Sequence, residues 1–76
     1  MVNPIRKIVA KNIRNYRKEL NLSQEALGFR CSMPHVYISK VESAQISIGV
    51  DNLARIAKAL GVKPSELLEP EGWRKV

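Results

Sequence analysis

Cysteine occurs once in the 76 residues, at Cys31, and histidine once, at His35. A single cysteine excludes a disulfide within the chain, so this is not a small stapled scaffold. One cysteine and one histidine are also too few for a recognisable metal site, and no cofactor is called for. The same scarcity leaves no nucleophile–base pair or convergent carboxylate set from which an enzyme could be argued. Aromatic residues make up only 5% of the chain, and no stacking platform of the kind that holds RNA bases can be assembled from them. No apolar run approaches the ~20 residues of a membrane span, and no signal peptide is evident. A cytoplasmic protein without a membrane partner is expected.

Acidic side chains are also scarce. Thirteen Lys and Arg face seven Asp and Glu, for a formal charge of +6 and a pI near 9.9. This excess favours a polyanionic partner, nucleic acid or an acidic membrane surface, although it also serves plain solubility. The charge is unevenly placed. Residues 1–20 carry Arg6, Lys7, Lys11, Arg14, Arg17 and Lys18 against Glu19 alone. Residues 21–48 balance to zero, and residues 49–76 come to +1. The first segment therefore sets most of the electric field, while the middle of the chain is suited to discriminate more than to attract.

A chain of 76 residues makes one domain with a small core. Oligomerisation is a common remedy for such marginal stability. After a short lead-in ending at Pro4, Ile5, Ile8, Val9, Ile13, Tyr16 and Leu20 mark one helical face. The spacing predicts helices over 5–20, 23–30, 34–43, 50–60 and 64–69. Ser23 is a suitable N-cap, Pro34 is placed in the first turn of the third helix, and Gly49 and Gly61 bracket the fourth. Gly28 lies inside the second helix, where it costs roughly 1 kcal/mol relative to Ala. A close approach of another helix there would explain it. Nothing alternates as paired strands do, so the expected fold is all-α, a compact five-helix bundle.

The densest information lies in SQEALGFRCSMPHVYISKVE, residues 23–42, which reads as two short helices joined by a tight turn. The second keeps Ile38 and Val41 on one side and leaves His35, Val36, Ser39 and Lys40 on another. A short helix with one apolar side and one mixed polar side suits the major groove of duplex DNA. The residues alone leave several roles open. His35 is a base or phosphate contact or a plain surface histidine. Val36 meets a thymine methyl or packs on the second helix. Tyr37 stacks on the sugar–phosphate or fills an edge of the core. Lys40 contacts guanine or phosphate, or is simply solvated.

These residues resemble the Cro/C1-type helix-turn-helix family of phage and bacterial repressors. The matching elements are Ile13-x-x-x-Arg17, Leu22-Ser23-Gln24-Glu25-x-Leu27, Tyr37-Ile38-Ser39-Lys40-Val41-Glu42 and Leu53-x-x-Ile56-Ala57-Lys58-Ala59-Leu60-x-Val62. Within the family the chain looks most like the small controller proteins of restriction–modification systems, which share a Tyr-Ile-Ser run and an Ile-containing connection, here Ile46-Ser47-Ile48. The resemblance implies a lambda-repressor-like domain and a transcriptional regulator that binds a palindromic operator as a homodimer. Activation through RNA polymerase contact and repression both stay open. It assigns base contacts to His35, Val36, Ser39 and Lys40, and backbone contacts to Gln24, Tyr37, Ser43, Gln45 and Ser47. It makes Arg17 and Glu42 a structural ion pair. Leu67, Leu68 and Trp73 exceed what a monomer needs and are expected in a dimer seam with the fourth helix. The alternative is an antitoxin-type protein-interaction module with secondary DNA binding.

The chain departs from the family at four places. Ser32 and Ala44 stand where glycine is common, Pro34 replaces the frequent Ser or Asp cap, and position 35 lacks the arginine that controllers often carry. A left-handed conformation at Ser32 would cost a non-glycine residue of order 1 kcal/mol. Cys31 is expected as an inert core thiol.

Overall fold

The computed structural model describes residues 4–70. Five helices follow one another: α1 Pro4–Glu19, α2 Gln24–Cys31, α3 His35–Glu42, α4 Val50–Leu60 and α5 Pro64–Leu68. Among the described residues there is no strand. Helix α2 packs on α3 and α4, while α1 packs on α3 and α5. Ile13, Leu27, Ile38, Ile56 and Leu67, one from each helix, retain no exposed surface. Each such side chain contributes roughly 1.5–3 kcal/mol by leaving water, so every helix is anchored by at least one residue that cannot be surrendered cheaply.

The helix ends show how the sequence stops each element. Asn21, Ser32, Ala44 and Gly61 have φ of 58°, 59°, 61° and 75°. At each, two backbone bonds close the preceding helix. Leu22 N–H reaches Arg17 C=O, Met33 reaches Gly28, Gln45 reaches Lys40 and Val62 reaches Ala57, at 2.8–3.1 Å. A shorter three-residue bond accompanies each one. This is the Schellman arrangement, in which a left-handed residue lets the last carbonyls find partners. Glycine fills that position only once in four, after α4.

Local chemistry also sets the starts. Ser23 Oγ accepts from Ala26 N–H at 2.9 Å. Pro34 is the residue before α3 and lies outside its first turn: its backbone is extended (ψ 146°) and the helix starts at His35. The correction has a simple cause. Proline offers no side-chain acceptor, but its carbonyl takes the first helical N–H groups, from Tyr37 at 3.0 Å and Ile38 at 3.4 Å. At α5, Glu66 Oε1 reaches back to Lys63 N–H at 2.9 Å. Gly28 makes room for the turn that follows it: a Cβ there would sit 2.5 Å from the Met33 carbonyl oxygen and 3.5 Å from the His35 nitrogen. The crowding group is thus the turn's own backbone and the first residue of α3, and any side chain at position 28 would prise the two helices apart.

One buried polar side chain joins the bundle's two ends. Asn12 has no exposed surface. Its Nδ2 lies 3.3, 3.0 and 2.6 Å from the carbonyl oxygens of Glu66, Leu67 and Glu69. It therefore satisfies the C-terminal carbonyls of α5, a helix of five residues too short to be stable without such support.

Candidate nucleic-acid interface

The two helices of the turn are held by a small polar cluster. Arg17, from α1, donates Nε to Glu42 Oε2 at 2.7 Å and Nη2 to Glu42 Oε1 at 2.8 Å. Its Nη1 holds the Leu22 carbonyl at 2.8 Å. Glu42, at the end of α3, is 6% exposed. The hydrogen bond from Arg17 to this carboxylate holds the guanidinium above the ordinary arginine range, so it stays charged. Gln24, at the start of α2, donates Nε2 to Glu42 Oε1 at 3.2 Å. One carboxylate thereby ties together α1, the start of α2 and the end of α3. Two-point pairing of this kind fixes orientation as well as distance.

The opposite side of α3 faces outward. His35, Val36, Ser39 and Lys40 are exposed, while Ile38, Val41 and Glu42 are buried. Val36 is 53% exposed and so is not consumed by packing on α2. Tyr37 is half-buried and lies against the core, and its hydroxyl accepts from Asn52 Nδ2 at 3.1 Å. The ring therefore fills an edge of the core while the oxygen reaches the surface of α4.

The segment after α3 is partly committed to internal bonds. Ser43 donates its hydroxyl to the carbonyls of Ser39 and Lys40, at 3.0 and 3.2 Å. Its proton serves the helix end, and only its lone pairs stay available. Ser47 Oγ accepts from Arg6 Nη2 at 2.7 Å and Nε at 3.1 Å. Gln45 is exposed. Arg6 thus links the α1 start to the connection before α4.

The expected seam residues separate into three cases. Leu67 has no exposed surface; it is spent on the core of its own subunit and has nothing left for a partner, which corrects that expectation. Leu68 is 41% exposed. Trp73 lies outside the described residues. Leu68 lines an apolar groove with Ile5, Val9, Ile46, Ile48 and Val50. Cys31 is buried and donates Sγ to the Leu27 carbonyl at 3.1 Å, and burial pushes its thiol above the usual range.

Sequence reasoning missed three residues that organise this surface, Arg6, Asn52 and Arg55, and one that fastens α1 to α5, Asn12. Asn12 had a signal, since it interrupts the apolar face of Val9, Ile13 and Tyr16. Arg55 had none. Its Nη2 donates to the carbonyls of Cys31 and Ser32 at 2.8 and 3.3 Å, across more than twenty residues. Among the described residues no group of three metal-ligating side chains converges, and no helix is long and apolar enough to cross a membrane.

The helix-turn-helix family pattern matches residues 13–67. The chain is 40% identical over 70 residues to the control protein C.BamHI of Bacillus amyloliquefaciens, covering 91% of this chain and 86% of that protein. Its fold superimposes on a hypothetical transcription factor, NHTF, from Neisseria with a TM-score of 0.87 and 36% identity, covering 92% of this chain and 80% of that one. The restriction–modification controller protein C.AhdI from Aeromonas hydrophila gives a TM-score of 0.82 at 29% identity, covering 86% of this chain and 98% of that one. A match over residues 13–67, most of the chain, which includes α2 and the α3 that turns His35, Val36, Ser39 and Lys40 outward, places the protein in the Cro/C1-type helix-turn-helix family of DNA-binding transcriptional regulators.

Proposed function

We propose that the protein is a controller of a restriction–modification operon, reading duplex DNA through the exposed side of α3. The observation that carries the reading is the division of α3 into a buried side, Ile38, Val41 and Glu42, and an outward side, His35, Val36, Ser39 and Lys40. The setting is supported by the likeness to C.BamHI and C.AhdI. In this reading Lys40 reaches a guanine edge, Val36 meets a thymine methyl, and Ser39 bonds to either kind of base. Gln24, Tyr37, Gln45 and Ser47 fix the register on the backbone, and the positive charge of α1 attracts the duplex from a distance.

The active unit is a homodimer, with each α3 in a major groove and half-sites about 34 Å apart on a palindrome. The seam is moved from Leu67 to the exposed apolar side chains Ile5, Val50 and Leu68, which are 39%, 82% and 41% exposed.

Binding to duplexes selected from a random pool, measured at two salt concentrations, tests the function. The affinity should fall by about 10³-fold or more between 50 and 200 mM salt if six or more phosphates are contacted. A palindromic consensus supports the dimer, and sedimentation of a Val50→Glu variant as a monomer supports the seam. Salt-independent binding without sequence preference contradicts the reading.

A further inference from the structure

We propose that Asn52 is a positioning residue for DNA binding: it fixes the Tyr37 hydroxyl as a hydrogen-bond donor toward a backbone phosphate. The inference rests on the DNA-reading function above and adds a residue from α4, an element outside the helix-turn-helix pair.

A guanidinium has five donors and no acceptor. Arg55 spends Nη2 on the carbonyls of Cys31 and Ser32, at the end of α2. Its Nη1 faces Asn52 Oδ1 at 3.5 Å, a long bond, but one whose sense cannot reverse. This contact favours the amide oxygen on the side of the cation, and the amide nitrogen, on the other side, donates to Tyr37 Oη at 3.1 Å. The end of α2 thereby sets which face of the Asn52 amide Tyr37 meets.

The consequence lies in the hydroxyl. A phenol oxygen can accept and donate. Here an N–H occupies its acceptor side, so its own proton is left for an acceptor. Among the described residues no acceptor takes it. Tyr37 sits in the first turn of α3, between the exposed Val36 and the core residue Ile38. A neutral O–H donor at the edge of a recognition helix fits a phosphate oxygen, the group that fixes register without reading sequence. The ring is half-buried against the core, so the donor is held in place before DNA arrives.

The test uses the full chain and a duplex selected with the wild-type protein. Affinities are measured for wild type, Tyr37→Phe, Asn52→Ala, Asn52→Asp and the double variant Tyr37→Phe/Asn52→Ala, with melting curves to confirm that each is folded. Tyr37→Phe should weaken binding about tenfold, the loss expected for a hydrogen bond to a charged group. Asn52→Ala should weaken it several-fold, and Asn52→Asp more, because a carboxylate takes the phenol proton for itself. In the Tyr37→Phe background, Asn52→Ala should have no further effect on affinity. That last result separates positioning of the hydroxyl from a general packing role or a direct phosphate contact of Asn52, either of which would persist without the phenol. Equal losses from Asn52→Ala in both backgrounds, or wild-type affinity for Tyr37→Phe, overturn the inference while leaving the DNA-reading function standing. Failure of the wild type to select any duplex overturns the function, and this inference with it.

Discussion

Arg17 and Glu42 meet across 25 positions of sequence in a two-point contact, Nε to Oε2 at 2.7 Å and Nη2 to Oε1 at 2.8 Å. Their side chains are 11% and 3% exposed. Glu42 is buried with Ile38 and Val41 at the end of α3, so the first role of the pair is to hold the recognition helix against α1. Arg17→Ala leaves a desolvated carboxylate without its cation. The expected loss is about 3 kcal/mol of unfolding free energy, read by urea denaturation without DNA. Replacing both residues, as Arg17→Met with Glu42→Leu, should cost less than the sum of the single changes, because neither charge is stranded. An unchanged midpoint for Arg17→Ala contradicts the role.

Ser32 and Ala44 hold left-handed backbones that glycine adopts without strain. Ser32→Gly and Ala44→Gly should each stabilise the protein by about 0.5–1 kcal/mol, the relief of strain less the extra freedom of the unfolded chain. Gly61→Ala should destabilise by a similar amount. Thermal melting of the three variants checks all of these, and a destabilised Ala44→Gly would show that no strain is held there.

Asn12 is the fastening between α1 and α5. Asn12→Leu removes a donor shared by three carbonyls and strands the buried one, that of Leu67, which should cost about 1–3 kcal/mol. Hydrogen exchange should report the loss first at the α5 amides, with α2 and α3 less affected. Equal loosening of all five helices would count against a local fastening.

His35 offers a direct test of the DNA contact at the start of α3. Its side chain is exposed at the first position of that helix, so His35→Ala should weaken operator binding several-fold and leave thermal melting unchanged. Wild-type affinity for His35→Ala would remove this residue from the interface.

The fold was legible wherever local chemistry decided the outcome. The apolar spacing of Ile13, Leu53, Ile56 and Leu60 placed α1 and α4, and Ser23 and Gly61 marked ends that the structure keeps. The start of α3 was misplaced by one residue because proline at a first turn and proline as a cap differ only in ψ, which composition does not reveal. Leu67 was assigned to a seam because counting apolar residues cannot tell the core of one subunit from the contact between two. In the site, the outward side of α3 followed from helical periodicity. The residues alone leave Tyr37 open between stacking on the sugar–phosphate and filling an edge of the core; in the structure its ring lies half-buried against the core and its oxygen meets Asn52. Arg6, Asn52 and Arg55 were invisible because their roles depend on which helix ends come together, a relation between segments distant in sequence. Asn12 could have been found, as a polar residue on an otherwise apolar stripe.

The central claim is that the exposed side of α3 reads bases. Duplexes should be selected from a random pool with wild type and with Lys40→Ala, and the two consensus sequences compared position by position. The account predicts a palindrome for wild type. For Lys40→Ala it predicts relaxed preference at one symmetric pair of positions, with the rest of the site unchanged. An identical consensus at every position, with unaltered affinity, would contradict it.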